Sequence, residues 1–329
     1  MDLSSQGGDE LLRVDGLKVT LGPATVVNGV SFAITRGRTL CLVGESGCGK
    51  SVTARAIMRL LTPPLALHSS SRIVLAGREL TALPEAEMRP VRGRDIAMIF
   101  QEPMSSLNPV WRVGDQVAEA IVWHRKTPRR QAMAHTIELF RLVGIPSPER
   151  RVDQFPHELS GGMQQRVMIA MALSCDPAVL IADEPTTALD VTIQAQILDL
   201  LRELQQRRKM ALLLITHDLG VVAEAADDIA VMYAGSLVEA GPADAVLGAP
   251  QHPYTEALLQ SVPRLGMDRA RKLNVIRGMV PSPFDPPPGC RFAERCDHAM
   301  AVCAHSPPPL FDAGAQRSAC WLCKDGARA

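Results

Sequence analysis

Aromatic side chains make up only 4% of the 329 residues, with three Trp, two Tyr and seven Phe. A module that grips single-stranded nucleic acid needs stacking faces, so that class is disfavoured. Neither sign of charge is in excess: 35 basic side chains meet 35 acidic ones. A broad basic surface for nucleic acid is therefore excluded, although a local patch is not. Long apolar runs are missing as well. The longest, Val167–Leu173, has seven residues, against roughly 20 for a membrane-spanning helix. The chain is expected not to cross a bilayer by itself. Met1–Glu10 has neither a basic start nor an apolar stretch, so no secretory signal is read there and reduced thiols are expected.

What is present suits a globular chain of two or three units, since 329 residues exceed one ordinary domain and 47% are hydrophobic. Up to about residue 250, β-branched apolar segments alternate with helical patterns, the mark of a layered α/β domain with a largely parallel sheet. Strands are expected at Thr39–Gly44, Ile96–Phe100, Ala178–Asp183, Ala211–Thr216 and Ile229–Tyr233. Asp190–Arg208 spaces Ile193, Ile197, Leu200, Leu201 and Leu204 as one helical face. Residues 103–165 break the alternation, with helical patterns near Val113–His124 and Arg130–Val143, and read as an inserted helical subdomain. After Gly248 the composition changes: Pro281–Gly289 holds five prolines, and five of the eight cysteines crowd the last 40 residues. The boundary is placed at 250, giving units 1–250 and 251–329. Cys41, Cys48 and Cys175 are read as small buried hydrophobes.

Gly44-Glu45-Ser46-Gly47-Cys48-Gly49-Lys50-Ser51 fits G-x-x-x-x-G-K-[ST], between a buried strand and a helix expected over Val52–Leu61. Its glycines let backbone N–H groups turn inward around phosphate oxygens at a helix N-terminus. Lys50 would reach the β- and γ-phosphates of a nucleotide, and the Ser51 hydroxyl would hold Mg²⁺. Further on, Ala178-Val-Leu-Ile-Ala-Asp183-Glu184 ends an apolar strand in two carboxylates. Asp183 would support the Mg²⁺ and Glu184 would act as general base on the attacking water.

Leu159-Ser160-Gly161-Gly162-Met-Gln-Gln-Arg166 resembles the signature of ATP-binding cassette (ABC) ATPases. Local physics supports Ser160 as the cap of a helix starting near Met163, with Gly161 and Gly162 offering N–H groups to an anion. Gln101, Ala188-Leu189-Asp190 and His217 follow the same family pattern. The phosphate loop, Phe100–Pro109, Asp183–Thr192 and His252-Pro-Tyr-Thr255 narrow the resemblance to dipeptide/oligopeptide importer ATPases. The resemblance implies a P-loop NTPase of ABC type, α/β, with an inserted helical subdomain and a small C-terminal cysteine-rich module. It also implies a dimer in which Ser160, Gly161 and Gly162 reach the γ-phosphate held by the partner's loop, while Asp190 bridges the protomers. Residues Gly44 to Val52 would cradle ATP, Gln101 would sense Mg²⁺ and couple to membrane subunits, and His217 would hold the γ-phosphate and water. One departure concerns the adenine-stacking aromatic of the family, whose slot here is Leu21.

Cys290-x₅-Cys296-x₆-Cys303-x₁₆-Cys320 is a four-thiolate set, with Cys323 three residues on. Soft clustered ligands suit an iron–sulfur cluster or zinc, and an unmetallated structural role is also open. Tight C-x₂-C pairs, usual for zinc, occur once, at Cys320 and Cys323. Gly289–Cys296 resembles the importer ATPases' C-terminal module, which implies a four-iron four-sulfur (4Fe-4S) cluster on Cys290, Cys296, Cys303 and Cys320, with Cys323 as the rival for the fourth place. His252 and Tyr254 are read as structural.

The reading is an ATPase that energises import of di- or oligopeptides, peripheral on the cytoplasmic face of a bacterial inner membrane. Its partners would be two transmembrane permease subunits, a second ABC ATPase (a relative or itself) and, through the permease, an extracytoplasmic solute-binding protein; nucleic acid is not among them. Alternatives are a soluble ABC ATPase acting on ribosomes or nucleic acid, and an importer ATPase for nickel, glutathione or opines.

Overall fold

The structure, a computed structural model, describes residues 10–102, 106–186, 190–261 and 276–328. The chain divides into two compact units, Met1–Ile34 with Thr39–Thr81 and Thr216–Ala329, and Thr35–Arg38 with Ala82–Ile215. Pro103–Ser105 and Ala188–Leu189 of the family motifs, and Met1–Asp9, lie outside the described residues.

The first unit opens with an antiparallel sheet. Strands β1 (Glu10–Leu21), β2 (Ala24–Thr35), β4 (Leu65–Leu67), β5 (Arg72–Leu75) and β6 (Arg78–Glu79) form it in the order β2-β1-β5-β6, with β4 on β1. Leu12, Val14, Leu17 and Val19 of β1 are buried while intervening residues are half-exposed, the pattern of a sheet with one covered face. This sheet departs from the expectation of a largely parallel α/β alternation. Gly16 at φ +55 interrupts the strand's apolar pattern, and the short β4 and β6 carry almost no periodicity to read.

The same unit contains β3 (Thr39–Val43), β10 (Asp228–Tyr233), β11 (Ser236–Pro242), β12 (Phe311–Ala313) and β13 (Gln316–Ser318). β3 lies parallel to β10, with Leu40 opposite Asp228 and Val43 opposite Val231. All five residues of β3 are buried, as a strand covered on both faces requires. The Asp227 carboxylate accepts the Thr39 N–H at 2.7 Å, fixing where the strand begins. β11 pairs antiparallel with β10 and with β13, which pairs with β12, so the C-terminal strands extend the sheet that carries β3.

In the second unit β7 (Ile96–Ile99), β8 (Val179–Asp183) and β9 (Ala211–Thr216) run parallel, Ile96 opposite Val179 and Val179 opposite Ala211. Helices Val113–Arg125, Arg129–Leu142 and Gly161–Leu173 pack on one another. Helix Val191–Arg208 buries Ile197, Leu201 and Leu204 and stops where Lys209 turns left-handed, φ +48.

Several ends differ from expectation. β3 stops at Val43 because Gly44 turns away at φ +154; β7 ends at Ile99; β8 begins at Val179 and β10 at Asp228. The helix after the phosphate loop spans Lys50–Ile57 rather than reaching Leu61, because Arg59 is left-handed at φ +52. The signature helix starts at Gly161, two residues before Met163, since the Ser160 cap sets its first turn.

Candidate nucleotide site and cysteine module

The phosphate loop is shaped by backbone that other residues could not adopt. A Cβ at Gly44 would stand 2.1 Å from the Met232 carbonyl oxygen. Any side chain there would push the loop off β10. Gly49, at φ +105, is the N-cap of helix Lys50–Ile57. Lys50 is buried, and its Nζ donates to the carbonyls of Gly44 at 2.7 Å and Glu45 at 3.0 Å. Ser51 and Val52, both half-buried, continue the helix beside it. Ser46 and Gly47 form the exposed tip, and Cys48 is buried with its thiol pushed up by desolvation. A helix N-terminus with a lysine inside the loop is a site for a polyanion.

Asp218, after β9, caps helix Leu219–Ala225 by accepting from Gly220 N–H at 2.8 Å, which leaves His217 exposed at the strand's end. The Leu21 slot is half-buried at the end of β1.

In the second unit the structure brings two predicted site residues together. The Gln101 carboxamide donates to the Glu184 carboxylate at 3.0 Å. Glu184 is left-handed at φ +47, and its N–H donates to the Ile215 carbonyl at 2.9 Å. Asp183 before it is buried at the end of β8. Asp183 is thus buried and Glu184 half-buried, two adjacent carboxylates in different surroundings. Ser160 is exposed and its Oγ accepts from Met163 N–H at 3.4 Å. Gly161 is exposed and Gly162 half-buried, so the helix N-terminus faces outward for an anion. Asp190 is exposed and makes no capping bond to helix Val191–Arg208.

The C-terminal cysteines gather in the first unit. Cys290 N–H donates to the Cys303 carbonyl at 2.8 Å, and the two segments approach so closely that a Cβ on Gly289 would lie 2.1 Å from that carbonyl. Burial pushes the Cys290, Cys296 and Cys320 thiols up, Cys320 to about 12; nearby Cys303 and Cys296 add to the shift at Cys290, and nearby Cys323, Cys290 and Cys296 to that at Cys320. Cys323 is thus within electrostatic reach of Cys320, as Cys290 and Cys296 are. Its Sγ also lies against the Gln251 carbonyl at 3.7 Å. Among the described residues no three His, Cys, Asp or Glu side chains converge at single-ion distance.

Two residues far along the chain also reach the phosphate loop, backed by a third. The Tyr254 hydroxyl accepts the Glu45 N–H at 2.8 Å, and Arg295 pairs with the Glu45 carboxylate, Nη1 to Oε2 at 2.7 Å. Tyr233 packs on Tyr254 at 4.6 Å between centroids. Tyr254, read from the sequence as structural, thus also touches the candidate site. His252 is the N-cap of helix Pro253–Gln260, its Nδ1 accepting from Tyr254 N–H at 3.0 Å.

Residues 27–187 match the family model for ABC transporters, and residues 238–303 match the oligopeptide/dipeptide transporter C-terminal region. The chain is 50% identical over 319 residues to the dipeptide transport ATP-binding protein DppD of Bacillus subtilis, covering 95% of each. It is 50% identical over 305 residues to the oligopeptide transport ATP-binding protein OppD of the same organism, covering 92% of this chain and 85% of that one. The chain belongs to the ABC transporter family. Among solved structures it is similar to cbiO1 from Clostridium perfringens, part of the transporter complex cbiONQ, with a TM-score of 0.62 and 28% identity over 73% of this chain and 91% of that one. The ABC cassette fold seen here is therefore that of an ATPase, an enzyme converting ATP and water to ADP and phosphate. No helix among the described residues is long and apolar enough to cross a membrane.

Proposed function

We propose that this chain is the ATP-hydrolysing subunit that energises import of di- or oligopeptides through permease partners. It would work peripherally on the cytoplasmic face of a bacterial inner membrane. The observation that carries the reading is the pairing of a complete cassette with the C-terminal region of residues 238–303, at 50% identity to a dipeptide transport ATP-binding protein along 95% of its length. A solute-binding protein would deliver substrate to the permease, and a second ABC ATPase would complete the dimer.

The residues act as follows in this reading. Lys50, oriented by the Gly44 and Glu45 carbonyls, neutralises the β- and γ-phosphates, and loop N–H groups from Gly47 to Val52 donate to the phosphate oxygens. Ser51 and Asp183, with Gln101, would hold Mg²⁺, which supplies charge neutralisation across the phosphates. Glu184 takes the proton of the attacking water, its position set by the left-handed turn at the end of β8. His217 orients the γ-phosphate. The N-terminus around Ser160, Gly161 and Gly162 serves the nucleotide of the partner, and Asp190 joins the two protomers.

The same reading divides the chain at about residue 250, with the helical subdomain over 103–165 and the module over 251–329. It assigns Cys290, Cys296, Cys303 and Cys320 as the thiolates of a 4Fe-4S cluster, which would tie the proline-rich segment into one folded piece. The backbone bond from Cys290 to Cys303 brings two of these segments together, and the contact of Cys323 with the Gln251 carbonyl favours Cys320 for the fourth place.

The test is reconstitution with the permease and binding protein encoded beside this chain, in vesicles holding ATP. Peptide uptake that depends on this subunit and on ATP is expected. ATP turnover without any peptide movement, across a panel of di- and oligopeptides, would remove the substrate assignment and leave the ATPase.

A further inference from the structure

Glu45, second residue of the phosphate loop, is engaged through all of its polar groups. Its N–H donates to Tyr254, its carbonyl accepts from Lys50 Nζ at 3.0 Å and from Cys48 N–H at 3.3 Å, and its carboxylate faces Arg295. The Arg295 fork is two-pronged: Nη1 to Oε2 at 2.7 Å and Nη2 to Oε1 at 3.0 Å. The rest of that guanidinium is spoken for as well. Nε donates to the Arg277 carbonyl at 2.7 Å and Nη1 to the Tyr233 hydroxyl at 3.2 Å, with the Tyr233 ring 5.6 Å away. Only 5% of the Arg295 side chain is exposed. A planar fork with this many fixed partners holds a carboxylate in one orientation.

This arrangement answers a problem in the sequence. A phosphate loop collects positive potential for a polyanion, yet this one carries a glutamate at its second position. Left alone, that carboxylate would repel a triphosphate and would let the peptide that holds Lys50 move.

We propose that Arg295 is a positioning residue for the nucleotide: it neutralises Glu45 and fixes the loop peptide on which Lys50 rests. Charge and shape of the phosphate loop are thereby set from the C-terminal module, one residue before Cys296. The proposal rests on the reading of Gly44–Ser51 as the nucleotide site.

The test titrates Mg·ATP into the full-length chain by calorimetry, with thermal stability measured in parallel. Arg295→Gln should weaken binding about tenfold, because a charged partner is stranded. The loss should shrink between roughly 0.05 and 0.5 M salt, as screening weakens the repulsion. Arg295→Gln combined with Glu45→Gln should recover most of the lost affinity, since the stranded charge is gone. Arg295→Lys, which keeps the charge and loses the fork, should fall between. A packing role alone would lower the melting temperature in single and double variants alike, with no recovery of affinity and no salt dependence. Arg295→Gln binding like the unaltered chain, or the double variant binding no better than the single, would overturn the proposal. If Arg295→Gln does not fold, Arg295→Met with and without Glu45→Gln provides the same comparison, since it strands the same carboxylate. Failure of the unaltered chain to bind Mg·ATP would instead overturn the nucleotide reading.

Discussion

Gln101 and Glu184 are in direct contact, the carboxamide donating to the carboxylate at 3.0 Å. They come from the ends of two adjacent parallel strands, β7 and β8, where side chains of an α/β sheet are delivered to a ligand. Glu184 holds a left-handed conformation that costs a non-glycine residue about 1–3 kcal/mol. The bond from its N–H to the Ile215 carbonyl keeps it there. If Glu184 is the general base proposed above, this backbone conformation and the Gln101 contact are what position it.

Glu184→Gln should therefore bind Mg·ATP and hydrolyse it at least about tenfold more slowly, because a positioned base supplies roughly 10²–10⁴-fold. The amide keeps the shape and can still meet Gln101. Steady-state phosphate release, measured beside nucleotide affinity, checks this; unchanged turnover would move the base elsewhere.

Lys50→Ala should abolish tight nucleotide binding. The buried ammonium is the cation inside the loop, and its removal also takes the Nζ donor from the Gly44 and Glu45 carbonyls. A loss of about 100-fold or more is expected for a charge-assisted contact to phosphate. Equilibrium binding of a fluorescent ATP analogue reads this directly, and wild-type affinity in the variant would sink the phosphate-loop assignment.

The candidate site motifs could be read because each is local. Gly44–Ser51, Asp183–Glu184 and Ser160–Gly162 are contiguous, and contiguous residues keep their spacing whatever the rest of the chain does. β3 and β9 were legible for a related reason, since strands buried on both faces read as unbroken apolar runs. The antiparallel sheet of β1, β2, β4, β5 and β6 was not, because half-covered strands with glycine interruptions show weak alternation. Arg295 and Tyr254 lie more than 200 residues from Glu45 along the chain. No spacing rule reaches that far. The His-Pro-Tyr-Thr motif and the neighbourhood of Cys296 were the only hints, and neither says what the side chain touches. The cysteines could be read as a cluster in the sequence, while the contact of Cys323 with the Gln251 carbonyl could not, because Gln251 lies far from it along the chain.

Protein purified without oxygen should be brown, with about four irons and four sulfides per chain. Cys290→Ser, Cys296→Ser, Cys303→Ser and Cys320→Ser should each lose most of the iron, since a hydroxyl is a hard, weak substitute for thiolate. Cys323→Ser should keep it, because that thiol is committed to the Gln251 carbonyl. Iron and sulfide analysis with the visible spectrum decides the matter. One zinc per chain without colour would replace the cluster, and iron lost only in the Cys323 variant would exchange the fourth ligand.

His252 gives the fold an acid sensitivity whose sign is fixed by its burial. The ring is 1% exposed, caps helix Pro253–Gln260 through an unprotonated Nδ1, and has its pKa lowered from 6.5 to about 3 by desolvation. A lowered folded value means that the unfolded chain takes up the proton first, so stability is complete above pH 6.5 and declines as pH falls toward 3. Between pH 7 and 5 the loss is at most about 2 kcal/mol, at 1.36 kcal/mol per unit below 6.5. Glu239 works against it. That buried acid accepts from the Gln251 and His252 N–H groups, and its pKa is raised by burial, so the folded state gains as it protonates. His252→Asn retains a capping oxygen and removes the titration. The melting temperature of His252→Asn should fall less between pH 7 and 5 than that of the unaltered chain. An equal or steeper fall would assign the acid sensitivity to other groups.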